Sequence, residues 1–382
     1  MRILHICAYT WSIGGPARVI YDLCQSAIQR NYEVDILSPV SPGDKIYPSP
    51  EGVNLIICKR TTPLSNIYRE FSLDMYEYLR KNIDQYDIIH IHGIWHFGSL
   101  APFFFKRKAS IVITIHGLLD SWAVNHHRWK KDIVSILYQK RLLKKADLIH
   151  IFNNEEERDL ERYLGFKPGN YVKIPNGLRL EDYNTLPEKG LFINKFPVLK
   201  GKKIILFMSR LNEKKGLDVL LPAFRDYNRQ FKDSILVLAG PDDGYESTAR
   251  QFIADNQLEH EVLLPGMLIG DIKKAALQDA DVFVLPSYSE GFSIAVLEAM
   301  ASHLACIVSD KVGFAEYIEK YGSAAITPVS VEGLTMHLQT IMQNDTQRSE
   351  LAQKAYKMVV DNFDIKNVAN QMLRAYTEIR QR

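Results

Sequence analysis

The chain has 382 residues, 46% of them hydrophobic and 24% charged, with 47 Lys and Arg against 45 Asp and Glu. That composition excludes a disordered chain, and the length allows two cores to be built without disulfides or a structural metal. A formal net charge of +2 excludes a dedicated nucleic-acid binder, which needs a strongly basic face. No run of 18 apolar residues is present that could cross a bilayer.

The opening MRILHICAYT reads as a buried strand and lacks the basic, apolar and small-residue parts of a signal peptide. Cys7, Cys24, Cys58 and Cys306 form no CxxC pair, so they are expected as buried free thiols in a reducing compartment, with the cytoplasm as the expected address.

In chain order, the first half contains the β-rich runs RILHIC, YEVDILS, NLIICK, DIIHIHG, SIVITIHG, DLIHIFN and YVKIPNG. Helical segments such as ARVIYDLCQSAIQR and HRWKKDIVSILYQKRLLKKA lie between several of them. The second half repeats the alternation with KIILFMSRL, SILVLAGP, EVLLPGM, DVFVLPSY and CIVSD, separated by LDVLLPAFRDYNRQ, STARQFIADNQ and SIAVLEAMAS. Continuous apolar runs flanked by turn residues mark strands buried on both faces of a parallel sheet. The expectation is an α/β chain with two Rossmann-like, doubly wound parallel-sheet domains. LPEKGLFINKFPVLKGKK (186–203) lacks periodicity and reads as the boundary. The domains are expected at 1–190 and 200–364, with a C-terminal helix at 365–382 packing back on the first. Open parallel sheets bind ligands beyond the carboxyl ends of their strands, so two facing domains would make an interdomain cleft.

Three loops carry the chemistry. In PSYSEGFSIAVLEAMA (286–301) a buried strand ends in a polar loop that opens a helix. Glu290 lies in the loop, Glu298 lies on the helix, and Gly291, Phe292 and Ser293 place backbone N–H groups at the helix start. The competing reading is two structural glutamates. In FMSRLNEKKGLDVLLPAF (207–224), Arg210 and Lys215 follow a strand, a placement that suits a diphosphate, or else forms a solvated basic turn. In TWSIGGPARVI (10–20), Gly14 and Gly15 allow close approach of a phosphate and Pro16 suits the first turn of a helix. The loop is neither GxGxxG nor a Walker sequence, so dinucleotide and P-loop NTPase readings lose their main support.

These motifs, with AGPDDG (239–244) and IPNG (174–177), resemble family 4 glycosyltransferases over nearly the whole chain and in the family's order. HGIW (92–95) and HGLLDSWAV (116–124) are similar to exopolysaccharide and envelope-polysaccharide members. The resemblance implies the GT-B fold and a retaining transfer of a hexose, glucose first, from a UDP-sugar donor to a growing, lipid-linked glycan acceptor. It implies no metal and no other cofactor. On these residues it places Glu298 on the donor ribose and Glu290 with Gly291, Phe292 and Ser293 on the transferred sugar. Arg210 and Lys215 fall to the diphosphate, His116 to the reacting centre, and Gly240 and Met267 to the base. Pro16 stands where many members have Ala, which leaves the phosphate contact of Gly14 and Gly15 open. The rival readings are a sugar-nucleotide epimerase or phosphorylase on the same fold, and a non-catalytic nucleotide-sugar sensor.

Other features have blander readings. His90, His92 and His96 read as a polar lip and not a metal site, with His92 and Trp95 as acceptor-side candidates. Asp279-Ala-Asp281 precedes a strand, so it reads as polarity at a helix end and strand start. Residues 122–145 combine Trp122, Trp129 and Tyr138 with seven Lys and Arg. They read either as a peripheral contact with the inner face of the plasma membrane or as a surface helix with snorkelling lysines.

Overall fold

The computed structural model describes residues 1–11, 15–121, 124 and 128–381, with only the backbone at 128–130. Gly14 and Trp122, and the side chain of Trp129, lie outside the described residues. The chain divides into two compact units, Met1–Gly177 with Ile365–Arg382, and Leu178–Asp364.

Among the described residues, the first unit holds seven parallel strands: β1 (Arg2–Ile6), β2 (Glu33–Val40), β3 (Asn54–Lys59), β4 (Ile88–His92), β5 (Ser110–Thr114), β6 (Leu148–Ile151) and β7 (Tyr171–Lys173), in the order β3-β2-β1-β4-β5-β6-β7. Both faces are covered, which is why the runs are apolar without interruption. Leu4, Ile6, Ile89, Ile91, Ile111 and Ile113 face one core, shared with Met75 and Leu79 of helix Leu73–Asn82. Ile3, Ile36, Ile88, Val112 and Leu148 face the other, under helix Gly15–Ile28 and the C-terminal helix Ile365–Gln381.

Side chains alternate between faces along a strand, so His5, His90, His92, Thr114 and His150 share the second face. The register sets His5 beside His90, His92 beside Thr114, and Thr114 beside His150. A polar row therefore crosses four strands at their carboxyl ends. The C-terminal helix joins this unit tightly: a Cβ at Gly177 would lie 2.7 Å from the Ile365 Cα.

The second unit holds six parallel strands among the described residues: β8 (Lys203–Met208), β9 (Ser234–Ala239), β10 (Val262–Gly266), β11 (Val282–Leu285), β12 (Ala305–Ser309) and β13 (Ala325–Thr327), ordered β10-β9-β8-β11-β12-β13. The sequence reading did not reach β13, which is three residues long. Residues 178–202, of which 178–190 were expected in the first domain and those from 186 on as the boundary, are part of this unit. Asp279 is the reason. Its carboxylate accepts N–H bonds from Gly190, Phe192 and Ile193 at 2.6, 2.9 and 3.2 Å, and Phe192 and Leu199 are fully buried in the core. Asp281 likewise accepts from Ile204 N at 2.7 Å at the start of the sheet. Both carboxylates of the DxD sequence are spent on the backbone.

All four cysteines are buried free thiols. Among the described residues no helix is long and apolar enough to cross a membrane.

Candidate active site

In the second unit, the turn after β8 is locked against the turn after β11. The Asn212 side chain accepts from Lys214 N at 2.9 Å and shapes a short helical turn over Glu213–Lys215. The chain then reverses at Gly216, whose φ is 70°, and a Cβ there would lie 2.1 Å from the Pro286 carbonyl oxygen. Only glycine permits that approach. Tyr288 N donates to Lys214 O at 2.9 Å, and its hydroxyl donates to Asp218 at 2.6 Å.

Lys215 is held in this frame with its Nζ 2.5 Å from Glu290 Oε2, the two side chains 11% and 14% exposed. Ser287 Oγ lies 3.4 Å from the same oxygen, and Glu290 N donates to Lys311 O at 3.1 Å. Lys215 and Glu290, both expected in the site and 75 positions apart, are thereby brought together. A paired, desolvated cation and carboxylate are strongly coupled, and removing either leaves the other uncompensated.

Glu298 lies on helix Ile294–Ala301 and is buried. Both of its oxygens are 2.6 Å from Nζ of Lys273, on helix Gly270–Asp279. Arg210 does not converge on Lys215's partner. Its Nη1 lies 2.5 Å from Asp243 Oδ2, and both side chains are exposed. The two cations expected to bind a diphosphate are each already matched to a carboxylate, so an anion must compete for them.

Gly240 packs against the turn before Arg210: a Cβ would lie 1.8 Å from Ser209 O. Gly240 N donates to Gly266 O at 2.9 Å, next to Met267, which is exposed together with Ile269. Phe292 turns into the core, with Phe314 and Phe363 at 5.1 and 5.6 Å between ring centres, while Ser293 is buried at the helix start. Gly291, Phe292 and Ser293 therefore differ in what they can offer a ligand: backbone at all three, no exposed phenyl ring.

In the first unit His116 follows β5 in the left-handed conformation, with φ 58°, which stores strain in a residue other than glycine. Glu156 holds this loop: its buried carboxyl accepts from Gly117 N and from Phe152 N, the latter at 2.7 Å. Burial pushes that carboxyl up to about 8, against the pull of the two N–H donors. His116 Nε2 lies 3.2 Å from His92 Nδ1, and His92 Nε2 lies 2.9 Å from His5 Nδ1. Burial drives His5 and His116 down to about 3 and His150 to about 4, and holds His90 and His92 well below the ordinary range. All five are neutral at pH 7.

The expected lip of His90, His92 and His96 is instead an internal layer. His96 leaves the row and meets the buried Glu70 at 3.1 Å. His92 has both nitrogens engaged, one by His5 and one by His116. Trp95, also left-handed at φ 71°, spends its N–H groups on Gln139 and Leu118. Among the described residues, His5, His90 and His92 bring ring nitrogens within 4.8 Å of one another, yet both nitrogens of His90 and of His92 already bond to protein groups. The trio is a hydrogen-bonded layer.

Two family models divide the chain between them: Glycosyltransferase Family 4 matches residues 13–182 and Glycosyl transferases group 1 matches residues 189–358. The chain belongs to glycosyltransferase family 4. An uncharacterized glycosyltransferase of Methanocaldococcus jannaschii is 26% identical, over 98% of each chain. A phosphatidyl-myo-inositol mannosyltransferase of Mycolicibacterium smegmatis is 24% identical, over 99% of this chain and 94% of its own. An Escherichia coli UDP-Gal:alpha-D-GlcNAc-diphosphoundecaprenol alpha-1,3-galactosyltransferase is 28% identical, over 67% of this chain and 70% of its own. Among solved structures, sucrose-phosphate synthase from Thermosynechococcus elongatus aligns at a TM-score of 0.81 with 20% identity, over 99% of both chains. Anabaena HepE in complex with UDP and glucose aligns at 0.80 with 16% identity, over 99% of this chain and 100% of that one. The fold of this family 4 glycosyltransferase is GT-B.

Sequence reasoning missed Lys273, Asp243, Glu156, His5 and His150. For the histidines a signal existed, because RILHI, IIHIH and LIHI each place His two residues after an apolar strand position on the same face. Asp243 lies within the AGPDDG turn (239–244), whereas Lys273 carries no such mark.

Proposed function

We propose that this glycosyltransferase moves a hexose, glucose as first candidate, from a UDP-sugar to a growing, lipid-linked exopolysaccharide, with retention at the anomeric carbon and without a metal. The observation that carries this reading is the buried Lys215–Glu290 pair at the ends of β8 and β11. In it, Lys215 meets the departing diphosphate and Glu290, with the backbone of Gly291 to Ser293, meets the transferred sugar. Glu298 takes the ribose hydroxyls, Arg210 assists at the diphosphate on leaving Asp243, and Gly240 and Met267 face the base. Gly14 and Gly15 are assigned to the donor, and His116 to the reacting sugar.

The C1–O bond to phosphate breaks as the acceptor oxygen bonds to C1 on the same face, and the acceptor's proton passes to the departing phosphate oxygen. Fixed cations and helix N-termini stabilise the charge on the leaving group, a task that metals serve elsewhere. A double displacement needs two carboxyls about 5 Å apart with one free to attack. Here Glu290 is held by Lys215 and both Glu298 oxygens by Lys273. Support for the donor and acceptor classes comes from the named Escherichia coli relative, a UDP-Gal-dependent enzyme acting on a diphosphoundecaprenol-linked sugar, and from HepE holding UDP and glucose.

Within residues 122–145, the exposed side chains of Ile133, Ile136 and Leu137 adjoin those of Arg141, Lys144 and Lys145. That combination favours contact of this helix with an anionic membrane where the acceptor is anchored.

A panel of nucleotide sugars screened by thermal stabilisation, then by UDP release onto a polyprenol-linked glycan, tests the reading. Glu290→Ala and Lys215→Ala should each abolish most UDP release while remaining folded. Normal turnover in both variants, or binding of a UDP-sugar without release of UDP to any acceptor, would overturn it.

A further inference from the structure

Two chains of hydrogen bonds run through the polar layer of the first unit, and they end differently. The first runs Tyr376 Oη, His90, Thr114 Oγ1, His150 and the Ile174 carbonyl oxygen, with separations of 2.5, 2.6, 2.8 and 2.8 Å. A carbonyl only accepts, so His150 must donate from Nε2. A neutral imidazole has a single N–H, which makes His150 Nδ1 the acceptor of the Thr114 hydroxyl proton. Thr114 Oγ1 then accepts from His90 Nε2, and His90 Nδ1 accepts from the Tyr376 hydroxyl. One backbone oxygen fixes every proton in this chain.

The second chain runs His5, His92, His116 and has no such anchor. His5 Nε2 is buried with no hydrogen-bond partner among the described residues. If the chain ran from His116 inward, His5 would accept at Nδ1 and bury an orphaned N–H at Nε2. Buried N–H groups without a partner are rarer than buried acceptors without one. Run outward, His5 Nδ1–H donates to His92 Nε2 and His92 Nδ1–H donates to His116 Nε2, and the bare end at His5 is only a lone pair.

We propose that His5 and His92 are positioning residues that hold His116 in its Nδ1–H tautomer, so that this ring meets its ligand as a hydrogen-bond donor and not as a base. A free imidazole favours the other tautomer, so the assignment is a distinctive one. The left-handed backbone at His116 and the Glu156 bond to Gly117 N fix where that ring stands; the two histidines fix which nitrogen carries the proton. A donor suits a hydroxyl or ring oxygen of a sugar. This consequence rests on the assignment of His116 to the reacting sugar, whereas the tautomer itself does not.

Histidine-labelled protein, studied by long-range proton–nitrogen correlation NMR at pH 7, reads the tautomers directly, with the His116 signal assigned by its loss in His116→Gln. The wild-type chain should show His116 protonated at Nδ1, and His92→Phe should move the proton to Nε2. An Nε2–H signal for His116 in the wild type overturns the proposal, and that spectrum decides the matter even if the variant does not fold. An unmoved tautomer in folded His92→Phe overturns it equally. Turnover separates the tautomer of His116 from its role in transfer. A roughly tenfold loss of kcat with unchanged UDP affinity in His92→Phe supports positioning. A tautomer switch without change in kcat refutes the role of His116 in transfer while leaving the proton assignment standing.

Discussion

Five neutral histidines, four of them buried and His116 partly so, make the first unit acid-sensitive, and the size of the effect follows from the structure. An imidazole held at about 3 or 4 in the fold and near 6.5 when unfolded contributes stability that is present above pH 6.5 and lost as the pH falls toward the folded value. At pH 5.5 each of His5, His116 and His150 takes up about 0.9 proton on unfolding, and His90 and His92, also held low by burial, act in the same sense. Glu156, raised to about 8, and Asp159, raised to about 6 by burial, work in the opposite sense. Their stabilisation is complete at low pH and fades as the pH rises through those values, so at pH 5.5 they release about 1.5 protons between them. For these groups the net uptake of about one proton gives a slope of roughly 1.5 kcal/mol per pH unit and a loss of about 1 kcal/mol between pH 7 and pH 5.5, to which His90 and His92 add. All four tryptophans, Trp11, Trp95, Trp122 and Trp129, fall within the first unit. Intrinsic fluorescence during urea unfolding of the whole chain therefore reports that unit. Its midpoint should fall by at least about 0.4 M urea over this range, for a slope of roughly 2–3 kcal/mol per molar. A fluorescence midpoint that stays constant from pH 7 to pH 5.5 would refute the account of the polar layer.

Glu298→Gln removes the charge opposite Lys273 and should raise the KM for the donor by about tenfold or more, with a smaller change in kcat, measured by initial-rate UDP release. Gly216→Ala must place a Cβ 2.1 Å from the Pro286 oxygen at a positive φ; it should cost about 2–4 kcal/mol in chemical denaturation and lower activity with it. Dialysis against EDTA should leave turnover unchanged, and a strict requirement for added magnesium or manganese would contradict the proposed handling of the leaving group.

The sheets were legible because buried parallel strands have a plain signature: runs such as KIILFM and IVIT between turn residues. The carbonyl-end loops were legible for a different reason, since Gly-rich turns and charged residues directly after a strand can reach a ligand. The signals fail where they depend on distance in space. Nothing around Lys273 marks it as the partner of Glu298, because the contact joins two helices 25 residues apart. Residues 186–203 look like a linker by composition, yet Asp279, some 90 residues later, caps the short helix there and draws it into the second unit. His5 was passed over as one polar residue in an apolar strand; only the parallel register, which sets it beside His90, turns an isolated histidine into the end of a chain.

Calorimetric titration of UDP into the wild-type chain and into Lys215→Ala tests the central claim most directly. The cation at 215 is assigned to the diphosphate and its removal costs one charge-assisted hydrogen bond, so UDP affinity should fall by about ten- to a hundredfold in the folded variant. Equal affinity in the two proteins would contradict that assignment.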